Sequence, residues 1–253
     1  RRPKMEEAEP APPPALNEEQ EAAFQGLDAL SQQGTAAAAL LCGVTGSGKT
    51  QVYFRLIQQV IARGKKALVL VPEIVLTPQL LRVFAAHFGG RIAVLHSSLR
   101  AGERYDEWKR ARSGQVDVVI GTRSAVFTPL ENLGLIILDE EQEASYKSEN
   151  VPRYHARDVA KYRCVQHRAL LVLGSATPAV ESMHQARTGK YRLFRLTRRY
   201  NQRALPQVLT VDMKEELRQG NDTSISAPLR RELEANLERG EQAILFLNRR
   251  GAS

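Results

Sequence analysis

Apolar residues recur in short runs of strand length, at Ala38–Cys42, Ala67–Val71, Ile92–Leu95, Val116–Ile120, Leu133–Leu138 and Leu170–Leu173. Between most of them lie stretches of helical length and pattern: Thr50–Ala62, Pro78–Phe88, Gly102–Ala111 and Ala156–Val165. Such alternation predicts an α/β fold, a parallel sheet flanked by helices. Upstream, Asn17 stands where it can cap a helix, with Gln20 at the capping-box position. After about residue 205 the pattern resumes with a strand at Gln207–Val211, a helix around Pro228–Leu237 and a strand at Ala243–Leu247, and soon stops. The expected organisation is a Pro-rich linker at 1–15 (RRPKMEEAEPAPPPA), one large unit at 16–205, and the beginning of a second, truncated unit at 206–253.

Composition narrows the class. With 253 residues, 43% hydrophobic and 25% charged, the chain is long enough for one large core or one core and part of another. No apolar run approaches the roughly 20 residues that span a bilayer, and the N-terminus has no signal-peptide core. A cytoplasmic protein without membrane partners is expected. Cys42 and Cys164 stand singly in apolar surroundings, without the Cys-x-x-Cys spacing of a zinc site. The net charge of +8 is uneven: Arg187, Lys190, Arg192, Arg195, Arg198, Arg199 and Arg203 follow one another with no acid between Glu181 and Asp212. That stretch fits either a polyanion partner or a solvated basic surface.

Candidate chemistry begins where Leu40-Leu41-Cys42 runs into Gly43-Val44-Thr45-Gly46-Ser47-Gly48-Lys49-Thr50, with a helix following. A glycine-rich turn between strand and helix lets successive backbone N–H groups converge on the anionic oxygens of a nucleoside triphosphate. Lys49 is placed to reach the β- and γ-phosphates and Thr50 to offer its hydroxyl to Mg²⁺. The second element is Asp139-Glu140-Glu141-Gln142 at the end of the run Leu133–Leu138. Carboxylates at a buried strand end need a cation or a proton; Asp139 would hold Mg²⁺ and Glu140 would activate water as general base. A solvated acidic turn is the plainer alternative. Thr77-Pro78 and Thr177-Pro178 each read as an N-cap followed by proline at the first helical position.

Taken together, GVTGSGKT (43–50), VPEIVLTPQ (71–79), GTRSAVFTP (121–129), LDEEQ (138–142), GSATPAVES (174–182) and FLNRRG (246–251) stand in the order of superfamily 2 helicases. The wording of VPEI-x-x-TPQ and GTRSA-x-F-x-P most resembles the bacterial primosomal replication-restart helicases. The resemblance covers nearly everything from Leu16 to Ser253 and implies a RecA-like P-loop NTPase lobe at 16–205, then an inter-lobe connection and the start of helicase lobe 2. It implies ATP and Mg²⁺ as cofactors and single-stranded and forked DNA as partners, with other primosome proteins and single-strand binding protein besides. It also implies 3′-to-5′ unwinding at restarting forks. By the same resemblance Gln20 would read the adenine edge; a capping role is the alternative.

DNA contacts are implied at Thr77, Thr122 and Arg123, where helix starts and strand ends meet phosphates. They are implied too at Tyr146, Arg153 and Tyr154, where aromatics interleave with cations as single-strand binding requires; a loop packed on its own lobe is the alternative. Family position gives Gln142, Ser175 and Thr177 a part in coupling nucleotide to DNA. The fourth acidic-motif position is commonly histidine in that family, and Gln142 can hydrogen-bond but cannot become cationic. The family's zinc-binding cysteines and catalytic arginines would lie beyond Ser253, so the chain reads as a fragment that binds nucleotide and hydrolyses it poorly alone. A non-helicase P-loop enzyme and an ATP-sensing docking lobe without turnover are the competing classes.

Overall fold

The computed structural model describes residue 12, residues 15–199 and residues 207–246. Most of the linker, Arg203 and most of the 246–251 segment lie outside these residues. The chain divides into two compact units, one ending at Arg203 and the other beginning at Ala204.

The first unit is a seven-stranded sheet in the order β3-β4-β2-β5-β6-β1-β7, and every recorded strand pair is parallel. Its strands are β1 (Ala37–Gly43), β2 (Lys66–Leu70), β3 (Ile92–Leu95), β4 (Val118–Gly121), β5 (Leu133–Leu138), β6 (Leu170–Ser175) and β7 (Arg192–Leu196). Helices α1 (Glu18–Gln32), α2 (Lys49–Ala62) and α3 (Pro78–Phe88) cover one face, and α4 (Ala101–Arg112), α5 (Ala156–His167) and α6 (Val180–Arg187) the other. Each face therefore has its own core. Phe24, Leu27, Phe54, Leu56, Ile57 and Phe84 meet Leu41, Val69 and Ile137 on one side. Ala156, Ala160 and Cys164 meet Leu40, Ile136 and Leu171 on the other. Strands covered on both faces carry continuous apolar runs, which is why six of the seven were visible in the sequence.

The seventh was not foreseen. β7 lies at the sheet edge beside β1, with Arg192 and Arg195 exposed and Leu196 buried, so its cations suit an unpaired edge. Helix starts follow local chemistry in two of three cases. Asn17 and Gln20 form the expected capping box on α1, and Thr77 caps α3 by accepting from Leu80 N at 3.2 Å, with Pro78 next. Thr177 does not cap α6. That helix starts at Val180, and the Glu141 carboxylate accepts from Ala179 N at 2.8 Å, so the end of the helix is satisfied from another element.

In the second unit the described residues form α7 (Met213–Arg218) and α8 (Ala227–Glu238), the latter capped by Ser226 with proline in its first turn. The strand expected at Gln207–Val211 is absent, and the described part of Ala243–Leu247 is likewise irregular. Both runs are apolar, but among the described residues this unit offers no other strand for them to pair with.

Candidate nucleotide and metal site

The phosphate loop joins β1 to α2 at the carboxyl edge of the sheet. Gly46 and Gly48 hold φ of 78° and 79°, which residues with a side chain rarely adopt. A Cβ at Gly43 would lie 2.5 Å from Ser47 Oγ, and one at Gly48 would lie 2.3 Å from Gln20 Nε2. Gly48 is also the N-cap of α2 and provides no side-chain acceptor; Gln51 N donates to Gly48 O at 3.0 Å, and the start of the helix is otherwise open to an anionic ligand. Ser47 Oγ is buried with no hydrogen-bond partner among the described residues. A helix start without a side-chain cap, an orphaned hydroxyl and a lysine fit a triphosphate.

Long-range contacts fix the loop. Val44 N donates to Leu196 O of β7 at 3.2 Å, so the unforeseen edge strand holds the loop's first residue. Gln20 is fully buried; its Oε1 accepts from Asn17 N at 2.9 Å and its Nε2 donates to Ser47 O at 2.8 Å. The capping alternative is what the structure shows, together with a tie to the loop that the sequence did not suggest. Each of these atoms keeps one further hydrogen-bonding position, a lone pair on Oε1 and an N–H on Nε2.

Two strands away from β1, Asp139 and Glu140 follow β5. Lys49 Nζ donates to Gly43 O at 3.2 Å and lies 3.9 Å from Glu140 Oε1, which brings the two motifs to one site. Glu140 has φ of 47°, a left-handed conformation costing about 1–3 kcal/mol for a side-chain-bearing residue, at the position assigned to the general base. Asp139 Oδ1 accepts from Tyr53 Oη at 2.9 Å. Burial pushes the Asp139 carboxyl above its ordinary range; Glu140 adds to this, while the Tyr53 hydrogen bond and Lys49 act against it. A carboxylate so placed favours a cation at its free oxygen. Thr50, one residue beyond Lys49, is half-buried at the same helix start.

A chain of hydrogen bonds leads away from Glu140. Gln142 Nε2 donates to Glu140 Oε2 at 3.0 Å, Ser175 Oγ donates to Gln142 Oε1 at 2.6 Å, and Thr177 N donates to Ser175 Oγ at 2.9 Å. The three residues expected to couple sites are thus in series. Glu141, which sequence reasoning passed over, is 1% exposed and engaged by Arg157, Ser182 and Ala179. No local pattern announces a pairing between residues so far apart.

The expected DNA contacts fare unevenly. Tyr146 is 1% exposed, with Oη 2.9 Å from Leu70 O and 2.6 Å from Asp139 O. It is a core residue that fastens the ends of β2 and β5 and offers no face to a base. Thr122 is 3% exposed between Leu95 O and a 3₁₀ turn at Arg123–Phe127, so its side chain is withdrawn from a phosphate. Arg123 donates to Ser145 O and Lys147 O and stands 5.9 Å from the Tyr154 ring centroid. Tyr154 in turn packs edge-on against Phe127 at 4.9 Å. The loop after the acidic motif is therefore packed on its own lobe, with Arg153 exposed and Tyr154 half-buried. Thr77 is exposed, its hydroxyl already capping α3. Of the basic stretch, Arg187, Lys190, Arg192, Arg195 and Arg198 are exposed, and Arg198 stands 4.0 Å from Glu19.

The model of the DEAD/DEAH box helicases matches residues 17–186. The replication restart protein PriA of Bacillus subtilis is 50% identical over 98% of this chain and 31% of its own length. The protein of the same name from Synechocystis is 49% identical over 85% of this chain and 26% of its own. The chain thus spans about a third of the length of the curated relatives it matches. Among solved structures, RecG bound to a three-way DNA junction aligns at a TM-score of 0.54 with 25% identity, covering 79% of this chain and 25% of that one. The helicase domain of Pyrococcus furiosus Hef aligns at 0.55 with 16% identity, over 88% and 53% of the two chains, a likeness of fold. The sheet and its flanking helices are those of a RecA-like lobe.

Proposed function

This chain belongs to the DEAD/DEAH box helicases, and from that premise we propose that it is the ATP-binding lobe of an ATP-dependent DNA helicase that acts in replication-fork restart. The observation that carries the proposal is the convergence of the phosphate loop and the acidic segment, with Lys49 Nζ 3.9 Å from Glu140 Oε1. Backbone N–H groups of the loop and helix start that have no partner within the fold, together with the Lys49 ammonium, would bind the triphosphate, and Thr50 with Asp139 would hold Mg²⁺. The metal, when bound, neutralises charge that develops on the phosphate oxygens. Glu140 takes the proton of the attacking water. The Gln142–Ser175–Thr177 series carries the change at Glu140 towards the start of α6.

An arginine from a partner surface would complete the transition state, worth about 10³–10⁵ in rate where measured, so the chain alone binds nucleotide and turns it over slowly. Single-stranded and forked DNA, other primosome proteins, 3′-to-5′ polarity and a cytoplasmic setting rest on the similarity to the restart proteins. Thr77, Arg123, Arg153 and Tyr154 are the proposed DNA-facing residues of this lobe. The test is the ATPase rate of a full-length version with and without single-stranded DNA. Strong stimulation is expected; an unchanged rate would refute the helicase reading.

A further inference from the structure

Tyr53 was not singled out by any motif, yet its hydroxyl reaches one of the two residues on which the metal site depends. It lies four residues after Lys49, hence one turn along the same face of α2. Its side chain is 2% exposed, and Oη donates to Asp139 Oδ1 at 2.9 Å across the sheet. A phenylalanine would fill the same space in the core that also holds Val52 and Leu56. A buried hydroxyl costs free energy unless bonded. Here the bond goes to the aspartate.

The intervening strand is cut away to permit this contact. Gly174 of β6 lies between β1 and β5 in the sheet, and a Cβ there would stand 1.7 Å from Tyr53 Oη and 3.1 Å from Asp139 Oδ1. The backbone of Asp139 is secured separately, its N–H donating to Leu70 O at 2.9 Å and its carbonyl accepting from Tyr146. With the main chain held there, the side-chain rotamer is the remaining freedom. Tyr53 removes it.

We propose that Tyr53 is a positioning residue for the metal site, holding Oδ1 of Asp139 so that the other carboxylate oxygen faces Mg²⁺. Because Tyr53 and Lys49 share one helix, the element that receives the triphosphate also sets the carboxylate that receives its metal. Burial and the neighbouring Asp139 and Glu140 carboxylates keep the phenol protonated, hence a donor, far above neutral pH. The inference rests on Asp139 holding the metal, as in the function proposed above. Hydrogen-bonding partners of metal ligands typically contribute about 10–100-fold to metal affinity.

The experiment titrates a fluorescent ADP into the 253-residue chain, once in EDTA and once across a Mg²⁺ series. In Tyr53→Phe the affinity in EDTA should stay within about twofold, while the Mg²⁺ concentration that tightens binding rises about tenfold. Gly174→Ala, which puts a methyl where the hydroxyl sits, should give the same Mg²⁺ shift with the phenol intact; if it does not fold, Tyr53→Phe decides alone. An unchanged Mg²⁺ series in Tyr53→Phe would overturn the proposal and leave the site assignment standing. Equal weakening in EDTA and in Mg²⁺ would make Tyr53 a packing residue and overturn it as well. A parent chain that binds nucleotide with no response to Mg²⁺ would remove the metal assignment and the proposal together.

Discussion

Arg157 Nη1 lies 3.0 Å from Glu141 Oε2, an ion pair in which the glutamate side chain is wholly buried and the arginine side chain is 16% exposed. The same carboxylate accepts from Ser182 Oγ at 2.8 Å and from Ala179 N at 2.8 Å. One residue of the acidic segment thus joins α5, which follows the packed loop, to α6, which follows the Gly174–Ser175–Ala176–Thr177 segment. The two neighbours Glu140 and Glu141 divide the work: the first faces the phosphate lysine and the second anchors the segment from behind.

Removing the cation leaves that buried carboxylate short of one partner. Arg157→Ala should therefore lower the unfolding free energy by about 3 kcal/mol, the low end for a broken buried pair because Ser182 and Ala179 still serve the carboxylate. Glu141→Gln combined with Arg157→Ala should recover part of the loss, since no charge is then stranded. Urea melts of the parent and the two variants check this, and an Arg157→Ala chain as stable as the parent would contradict the assigned role.

Stability should fall steeply in alkali. Burial and nearby carboxylates hold the Tyr53 and Tyr146 phenols above their ordinary value of 10.0, and burial pushes the Cys164 thiol up from 9.0 to about 12. In each case the folded-state value lies above the unfolded one. The contribution is full below the unfolded value and shrinks as pH rises past it, because the unfolded chain releases the proton first. Each group removes about 1.4 kcal/mol per pH unit in its window, beginning near 9 for Cys164 and near 10 for the phenols. Urea midpoints should drop between pH 9 and 11, less so in Cys164→Ala. A flat profile over that range would show that these groups titrate normally in the fold.

Gly26 tests the placement of β7. Helix propensity alone favours alanine over glycine by about 0.5–1 kcal/mol inside α1. A Cβ there, however, would lie 2.3 Å from Phe194 Cε1 of β7, and overpacking of that kind costs about 1–3 kcal/mol. Gly26→Ala should be destabilising by about 1 kcal/mol and become stabilising when Phe194 is replaced by leucine. Stabilisation by Gly26→Ala in the parent would mean that α1 and β7 do not meet as described.

Elements set by local pattern are legible in the sequence, and those set by contacts between distant residues are not. Strands β1 to β6 announce themselves because burial on both faces leaves unbroken apolar runs such as Leu133–Leu138. β7 does not, since Arg192 and Arg195 on an exposed edge make it look like part of a basic stretch. The runs at 207–211 and 243–246 err in the opposite sense, having strand composition but, among the described residues of their own unit, no other strand to join. At the site, the glycines, Lys49 and Asp139 are legible from order and spacing. Tyr146 misleads because an aromatic beside cations describes a base-stacking loop and a core anchor equally well. Tyr53 and Arg157 are silent in sequence, as each acts through a residue brought near by the fold. Thr177-Pro178 has the sequence of a cap, whereas the acceptor at α6 comes from Glu141.

The claim on which the account turns is that Lys49 and the surrounding loop bind the phosphates of a nucleotide. Equilibrium binding of ATP in Mg²⁺ to the 253-residue chain and to Lys49→Ala measures it directly. The account predicts that the variant binds at least about tenfold more weakly, the loss of one charge-assisted contact of 1.4 kcal/mol or more. Equal affinity in the two chains, with both folded, would contradict it.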